Sequence, residues 1–446
     1  MNRVLSSVPQ APAGALDALA GVHGRTAYLA GAGGCGMRGL AHFLLAAGWR
    51  VWGADSKPFT PDDALVTQGL LPMTQGQDAP QTSLAVRSAA VPETEMGFQS
   101  ALAHGARPLK YAELLGEISQ LRPVLAVAGS HGKTTVTSWA AWGLRRAGLD
   151  VGYLVGAEVP QLQNSARWGD PQLPLLAETC EYDRSFHSVH AAQVALINVD
   201  AEHPDTYPGG LPEVTEAFEV FLAQTQIGGC VLAGPEAPDL STATCAAWQL
   251  SPAIPDAWRV GLPGEHNRRN AALVASILRS FDLPESEVQA AIEGFQGAAR
   301  RMESLGTCCG AQVVSDYAHH PVEVAATLQA AREAWPQARL HVVFQPHQAQ
   351  RLHAYREQFA PSLDMADTLF LLPVFRARDP KEVQASVEEL VPDLLARKPN
   401  RLTTVVSDFD EAHRLVWASL QRGDILLALG AGSIDAFARN LVDSSS

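Results

Sequence analysis

Residues 125–135 read Leu125-Ala126-Val127-Ala128-Gly129-Ser130-His131-Gly132-Lys133-Thr134-Thr135, and the reading of the central part of the chain starts here. The apolar run reads as a buried strand, the two glycines bound a tight loop, and the apolar positions Val136, Trp139, Ala140, Trp142 and Leu144 continue as a helix. Such a loop turns successive backbone N–H groups inward, and the following helix adds the positive end of its dipole. Lys133 supplies a mobile cation for β- and γ-phosphates, and the Thr134 hydroxyl is placed to ligate Mg²⁺. Gly129, Ser130, His131, Gly132, Lys133, Thr134 and Thr135 are therefore the expected ATP-binding residues. The general phosphate-loop pattern has a further glycine where Val127 stands, so the loop is a short form.

Working outward, strand-like and helix-like stretches alternate over nearly the whole chain, which predicts an α/β protein with mostly parallel sheets. At 446 residues it exceeds one ordinary core. Three blocks are expected. Residues 1–118 form a Rossmann-like domain, 119–297 a central domain around the phosphate loop, and 298–446 a C-terminal Rossmann-like domain. Strands are read at 26–30, 50–53 and 86–90, then 124–128, 174–177 and 194–199, then 312–315, 340–344, 368–372, 403–406 and 425–429. Helical stretches are read at 37–47 and 270–278. The tail 443–446 is expected to be disordered.

Composition narrows the function. The net charge of −14 argues against a nucleic-acid or anionic-membrane partner, since either needs a basic face. No apolar run reaches the roughly 18–20 residues that span a bilayer. Residues 1–20 lack the basic and apolar regions of a signal peptide, so a cytoplasmic protein is expected. The six cysteines show no zinc spacing and read as free thiols.

Gly31-x-Gly33-Gly34-x-Gly36 fits the dinucleotide fingerprint, with Asp55 lying 22 residues past Gly33. It suits NAD, a UDP-sugar diphosphate, or a turn that merely packs a helix on a sheet. The ATP-type loop downstream favours the UDP-sugar. Glu178 and His203 each follow a predicted parallel strand, at the edge where open α/β sheets bind ligands, and suit a divalent ion bridging phosphates. Glu181, Asp183, Glu202 and Asp205 nearby read mostly as solvated or supporting. In the third block, 316–321 (Asp-Tyr-Ala-His-His-Pro) and 345–351 (Gln-Pro-His-Gln-Ala-Gln-Arg) also follow strands. The adjacent histidines fit no common zinc motif and read as substrate or phosphate contacts. Arg300-Arg301 suits a phosphate clamp or a solvated pair.

Taken together these residues resemble the Mur ligase family. Gly-Ser-His-Gly-Lys-Thr-Thr is similar to its phosphate loop, which accounts for Val127. So are the 30–41 stretch, Glu178-Thr-Cys-Glu-Tyr182, 198–207, Gly264-Glu-His-Asn-Arg-Arg-Asn270, Arg300-Arg301, 316–324, Phe344-Gln-Pro-His347 and Leu429-Gly-Ala-Gly-Ser433, in family order from about residue 26 to 433. The pattern looks most like the members that add L-alanine to UDP-N-acetylmuramate.

The resemblance implies three domains that take the UDP-sugar, ATP and the amino acid, and a ligase of peptidoglycan precursor synthesis acting through an acyl-phosphate. It implies Gly31, Gly33, Gly34, Gly36, Met37, Asp55 and Ser88 at the UDP-sugar, and Thr134, Glu178 and His203 at Mg²⁺. Asn267, Asn270, Arg301 and Asp316 would join the ATP loop, and His319, His347 and Arg351 the amino acid. The catalytic set it implies is Lys133, Glu178, His203, His319 and Arg351, in a monomer or weak homodimer.

Three departures stand out. Ala318 stands where the family commonly has glycine, a small cost if its φ is negative. Gly76 is followed by Gln77 where the family commonly has His. After His347 the family continues with Arg or Thr, an aromatic, then Ser/Thr-Arg-Thr, whereas here Gln348-Ala349-Gln350 precedes Arg351. Arg351 remains as a carboxylate partner in an altered pocket. The related peptide-recycling ligase, an NAD-dependent oxidoreductase and a non-catalytic nucleotide-binding scaffold are the alternative readings.

Overall fold

The computed structural model describes residues 15–443 except 378, 380 and 381. Most of residues 1–20, where no signal peptide was expected, and most of the tail read at 443–446 lie outside the described residues; Asp443 itself ends the last helix. Two compact units emerge. The first runs to Glu202 and includes Thr206–Gly261 and Arg269–Gln296. The second holds His203–Asp205, Leu262–Arg268 and the chain from Gly297 onward.

The first unit carries two sheets. In one, β1 (Thr26–Ala30), β2 (Arg50–Asp55), β3 (Leu71–Thr74), β4 (Leu84–Arg87) and β5 (Arg107–Lys110) lie in the order β3-β2-β1-β4-β5, all parallel. The order reverses between β1 and β4, and loops at that point form the ligand crevice of a doubly wound sheet. The other sheet holds β6 (Val124–Ala128), β7 (Gly152–Leu154), β8 (Ala166–Arg167), β9 (Leu175–Glu178), β10 (Gln193–Asn198), β11 (Cys230–Glu236) and β12 (Ala247–Leu250). Their order is β12-β11-β10-β6-β9-β7-β8, parallel except for β8. β6 is buried at every position and sits between β9 and β10. Residues at the ends of three adjacent strands thereby gather around one loop. A continuous apolar core, from Leu29 and Phe43 through Val124 to Phe218, runs through both sheets.

The helix Lys133–Arg146 follows the loop. Arg145 and Arg146 in its last turn complement the helix dipole. Trp139 anchors it, stacking on Phe295 and donating its indole N–H to Ala291 O at 2.9 Å. The helix therefore holds the loop rigidly from behind.

In the second unit, β13 (Glu303–Cys308), β14 (Ala311–Asp316), β15 (Leu340–Phe344), β16 (Thr368–Leu371), β17 (Leu402–Val405) and β18 (Ile425–Leu429) form a sheet ordered β13-β14-β18-β15-β16-β17. Only β13 is antiparallel. All six cysteines are free thiols; Cys308 and Cys309 Sγ lie 4.0 Å apart. Among the described residues no helix is long and apolar enough to cross a membrane.

His341 on β15 is fully buried, with its Nε2 2.9 Å from Asp424 Oδ2. Burial holds its pKa below the usual value despite the Asp424 carboxylate. Below about pH 6.5 the unfolded chain then takes up a proton more readily than the native one, so stability present above that pH is lost as pH falls. Between pH 7.5 and 5.5 the melting temperature should drop further for the wild type than for His341→Gln, which has no proton to gain. Equal drops would remove His341 as the cause.

Candidate active site

The phosphate loop is shaped by what lies under it. Gly129 has φ +149°, and a Cβ there would stand 2.9 Å from Ile197 Cβ and 3.2 Å from Asn198 N, so the loop crosses directly over β10. Asn198 fixes it, its carbonyl accepting from Ser130 N and its Oδ1 from His131 N at 3.0 Å. Ser130 Oγ accepts from Asp200 N at 2.8 Å, and His131 Nε2 lies 3.3 Å from Asp200 Oδ2. Gly132, at φ +85°, caps the helix next to the Asn270 side chain.

Lys133 Nζ donates to Glu181 Oε2 at 2.8 Å, Gly129 O at 2.5 Å and Ser130 O at 3.2 Å. Of the two readings for the nearby acids, Glu181 takes the supporting one: it is fully buried against Lys133. Burial alone would lower the Lys133 pKa, but the Glu181 carboxylate outweighs it and raises the pKa above the ordinary lysine value. Asp183 does sit at the surface, paired with Lys110 at 2.9 Å. Thr134 Oγ1 donates to Glu178 Oε2 at 3.1 Å, and Gly156 N donates to Glu178 Oε1 at 2.6 Å. The hydroxyl and carboxylate oxygens of Thr134 and Glu178, brought together on adjacent elements, are the hard donors that Mg²⁺ prefers. His203 adopts φ +50°, a left-handed backbone uncommon outside glycine, in the short segment grouped with the second unit.

At the first sheet, Gly33 N donates to Asp55 Oδ2 at 2.9 Å, and a Cβ on Gly33 would meet that carboxylate at 2.8 Å. Asp55 thus fixes the loop from β2 and also accepts from Lys57 N. Ser88 N pairs with Ala30 O and Ser88 Oγ accepts from Ala90 N, so Ser88 shapes the turn after β4. Gly34 caps the helix Cys35–Ala46. Met37 is buried in the core, which leaves its backbone rather than its side chain facing the loop. Arg38, missed in the sequence, pairs with Asp63 through two 3.0 Å hydrogen bonds.

In the second unit, the polar clusters gather where β14, β15 and β18 end. Buried Asp316 accepts from Met302 N at 2.7 Å and from Ala318 N at 2.8 Å. Burial raises its pKa, opposed by Arg301. Asp316 therefore holds the 300–302 turn, in which Arg300 and Met302 both have positive φ. Arg300 donates through Nη2 to Gly430 O and Gly432 O and lies over the Tyr317 ring, so it is half-buried and tied to the turn after β18. Arg301 flanks the same ring at 5.0 Å. Ala318 has no positive φ, so a glycine is not required there.

The two histidines divide their work. His320 caps the helix Pro321–Ala334 in a capping box with Glu323. His319 packs edge-on against His347, the ring centres 5.5 Å apart, and His347 stacks on Phe375. Arg351 is buried and donates to Gln348 Oε1 at 2.9 Å and His347 O at 3.3 Å. The structure thus brings His319, His347 and Arg351 together. Gln348, at φ +70°, belongs to the same cluster and was not singled out as a site residue. Asn267 is buried and donates to Pro263 O at 2.7 Å.

Known proteins match this chain over most of its length. The family model for the Mur ligase family, catalytic domain, matches residues 26–122, and that for the Mur ligase, glutamate ligase domain, matches 300–432. A UDP-N-acetylmuramate–L-alanine ligase of Acidithiobacillus ferrooxidans is 32% identical over 93% of this chain and 96% of its own length. Another from Roseiflexus castenholzii is 33% identical over 91% and 94%. Among solved structures, the UDP-N-acetylmuramate-alanine ligase of Thermotoga maritima has a TM-score of 0.77 at 21% identity, covering 94% of this chain and 98% of that one. A murein peptide ligase of Psychrobacter arcticus reaches 0.72 at 21% identity with the same coverage. The chain belongs to the Mur ligase family, with its three-domain α/β fold of mostly parallel sheets.

Proposed function

We propose that this chain joins L-alanine to the D-lactoyl carboxylate of UDP-N-acetylmuramate at the expense of ATP, in peptidoglycan precursor synthesis. The observation that carries this reading is the loop itself: Lys133 and Thr134 stand beside Glu178 at the ends of adjacent strands, in a chain whose relatives are named for that reaction. We assign 1–118 to the UDP-sugar, 119–297 to ATP and 298–446 to the amino acid.

A carboxylate is a poor acyl donor because its leaving group would be oxide. One carboxylate oxygen therefore attacks the γ-phosphorus, the bond to the β-phosphate oxygen breaks, and ADP leaves. The amine of L-alanine then attacks the acyl carbon, inorganic phosphate departs, and the amine gives up a proton as the amide forms. Two anions must meet in the first step, and Lys133 together with the loop N–H groups offsets their charge. Thr134 and Glu178 would hold Mg²⁺, which when bound supplies further neutralisation of the phosphates. We assign Asn267 and Asn270 to the adenine side and Arg301 and Asp316 to ATP. Gly31–Gly36, Asp55 and Ser88 shape the UDP-sugar loop.

His319, His347 and Arg351 form the amino-acid pocket, with the Arg351 guanidinium on the α-carboxylate. Arg351→Ala should raise the KM for the amino acid by about 10–100-fold, the loss of a charged hydrogen bond, with a smaller effect on the KM for ATP. An unchanged amino-acid KM would remove Arg351 from the pocket. Phosphate release from ATP and UDP-N-acetylmuramate should require L-alanine. Release with a tripeptide but not with alanine would select the recycling ligase, and release with no amino acid or peptide would contradict both.

A further inference from the structure

We infer that Glu181 is a positioning residue for Lys133: its carboxylate is an internal anion with which the γ-phosphate of ATP must compete. The geometry is specific. An ammonium has three N–H donors. Those of Lys133 have three acceptors within 3.2 Å, namely two loop carbonyls and Glu181 Oε2. A phosphate oxygen reaching Lys133 therefore displaces or weakens one of them. The carbonyls of Gly129 and Ser130 are part of the loop, so the carboxylate is the partner that gives way.

Glu181 is not a chance surface partner. It is fully buried, and its carbonyl is held by two donors. Tyr207 Oη donates to Glu181 O at 2.5 Å, and Arg184 N donates to the same carbonyl at 3.0 Å. Asp183 and Arg184 follow in left-handed conformations, at φ +55° and +52°, which turn the chain sharply after it. A turn built this tightly keeps one carboxylate on the lysine. The pairing confines a long flexible side chain to one direction, and it sets a negative charge against the incoming triphosphate.

This inference rests on Lys133 binding ATP, and the test separates the two. With Mg²⁺ present, the Kd of a non-hydrolysable ATP analogue is measured for wild type and Glu181→Gln, with kcat and the KM for ATP. Removing the competing charge should tighten the analogue by about tenfold and lower the KM for ATP. Releasing the lysine should lower kcat by about tenfold or more. A purely structural role could reduce the active fraction but would not tighten binding. Glu181→Asp withdraws the same charge by one methylene and should show about threefold tightening, so it decides the question if Glu181→Gln does not fold. Analogue binding that is unchanged or weaker in the folded variants overturns the inference. A wild type that does not bind the analogue overturns the ATP reading itself.

Discussion

Lys133→Ala should lower kcat by at least about 10²–10³-fold, the effect of removing one preorganised charge from a developing anion. It should also cost stability. Glu181 is fully buried against the lysine, and removing one partner of a buried pair typically costs about 3–5 kcal/mol. A typical domain has about 5–15 kcal/mol in hand, so the variant is expected to fold with a lowered melting temperature. Turnover is therefore measured below that transition, alongside the thermal melt. Near-normal kcat would show that this loop is not where the γ-phosphate reacts.

Glu178→Gln should be nearly as damaging and differ in kind. The amide is almost the same size and its oxygen can still accept from Gly156 N, so the local fold should hold. What it loses is a charged oxygen beside the Thr134 hydroxyl. Activity should fall by about 10²-fold or more, and the Mg²⁺ concentration giving half-maximal rate should rise by about tenfold or more. An unchanged Mg²⁺ dependence would place the metal elsewhere.

Much of this was legible in the sequence because strand ends obey a strong rule. The strand before the phosphate loop, Val124–Ala128, stands where its apolar run placed it, as do Thr26–Ala30, Leu340–Phe344 and Ile425–Leu429. Apart from Thr26 these strands are buried along their length, so hydrophobicity marks them. Cys230–Glu236 went unread despite its buried apolar start, and so did several strands without such a run. Leu71–Thr74 and Arg107–Lys110 are half-exposed edge strands that contain a proline, and Glu303–Cys308 is an edge strand interrupted at Gly306. Helix starts were harder still: the stretch read from residue 270 begins at Glu265, because its first turn carries polar residues rather than an apolar face.

The site followed the same division. Lys133, Thr134 and Glu178 could be found from motif and strand-end position. The partners that fix them could not, since burial of a polar residue depends on tertiary packing. Glu181 looked like one acidic residue among several, and only the turn through Asp183 and Arg184 carries it under the loop. Asn198 and Asp200 sit at the end of a strand that was read, and the strand-end rule applied to every polar residue there would have found them. For the adjacent histidines, the proline after His320 was the available signal, since Pro opens helices and the preceding residue caps them.

On the proposed function, the loop presents a γ-phosphate to a carboxylate. This is tested most directly by following oxygen. UDP-N-acetylmuramate carrying heavy oxygen in both lactoyl carboxylate positions is incubated with ATP, Mg²⁺, L-alanine and the enzyme, and the released phosphate is weighed by mass spectrometry. Attack of the carboxylate on phosphorus transfers one of its oxygens, so each phosphate formed should carry a single heavy oxygen. Released phosphate without the label would contradict the account.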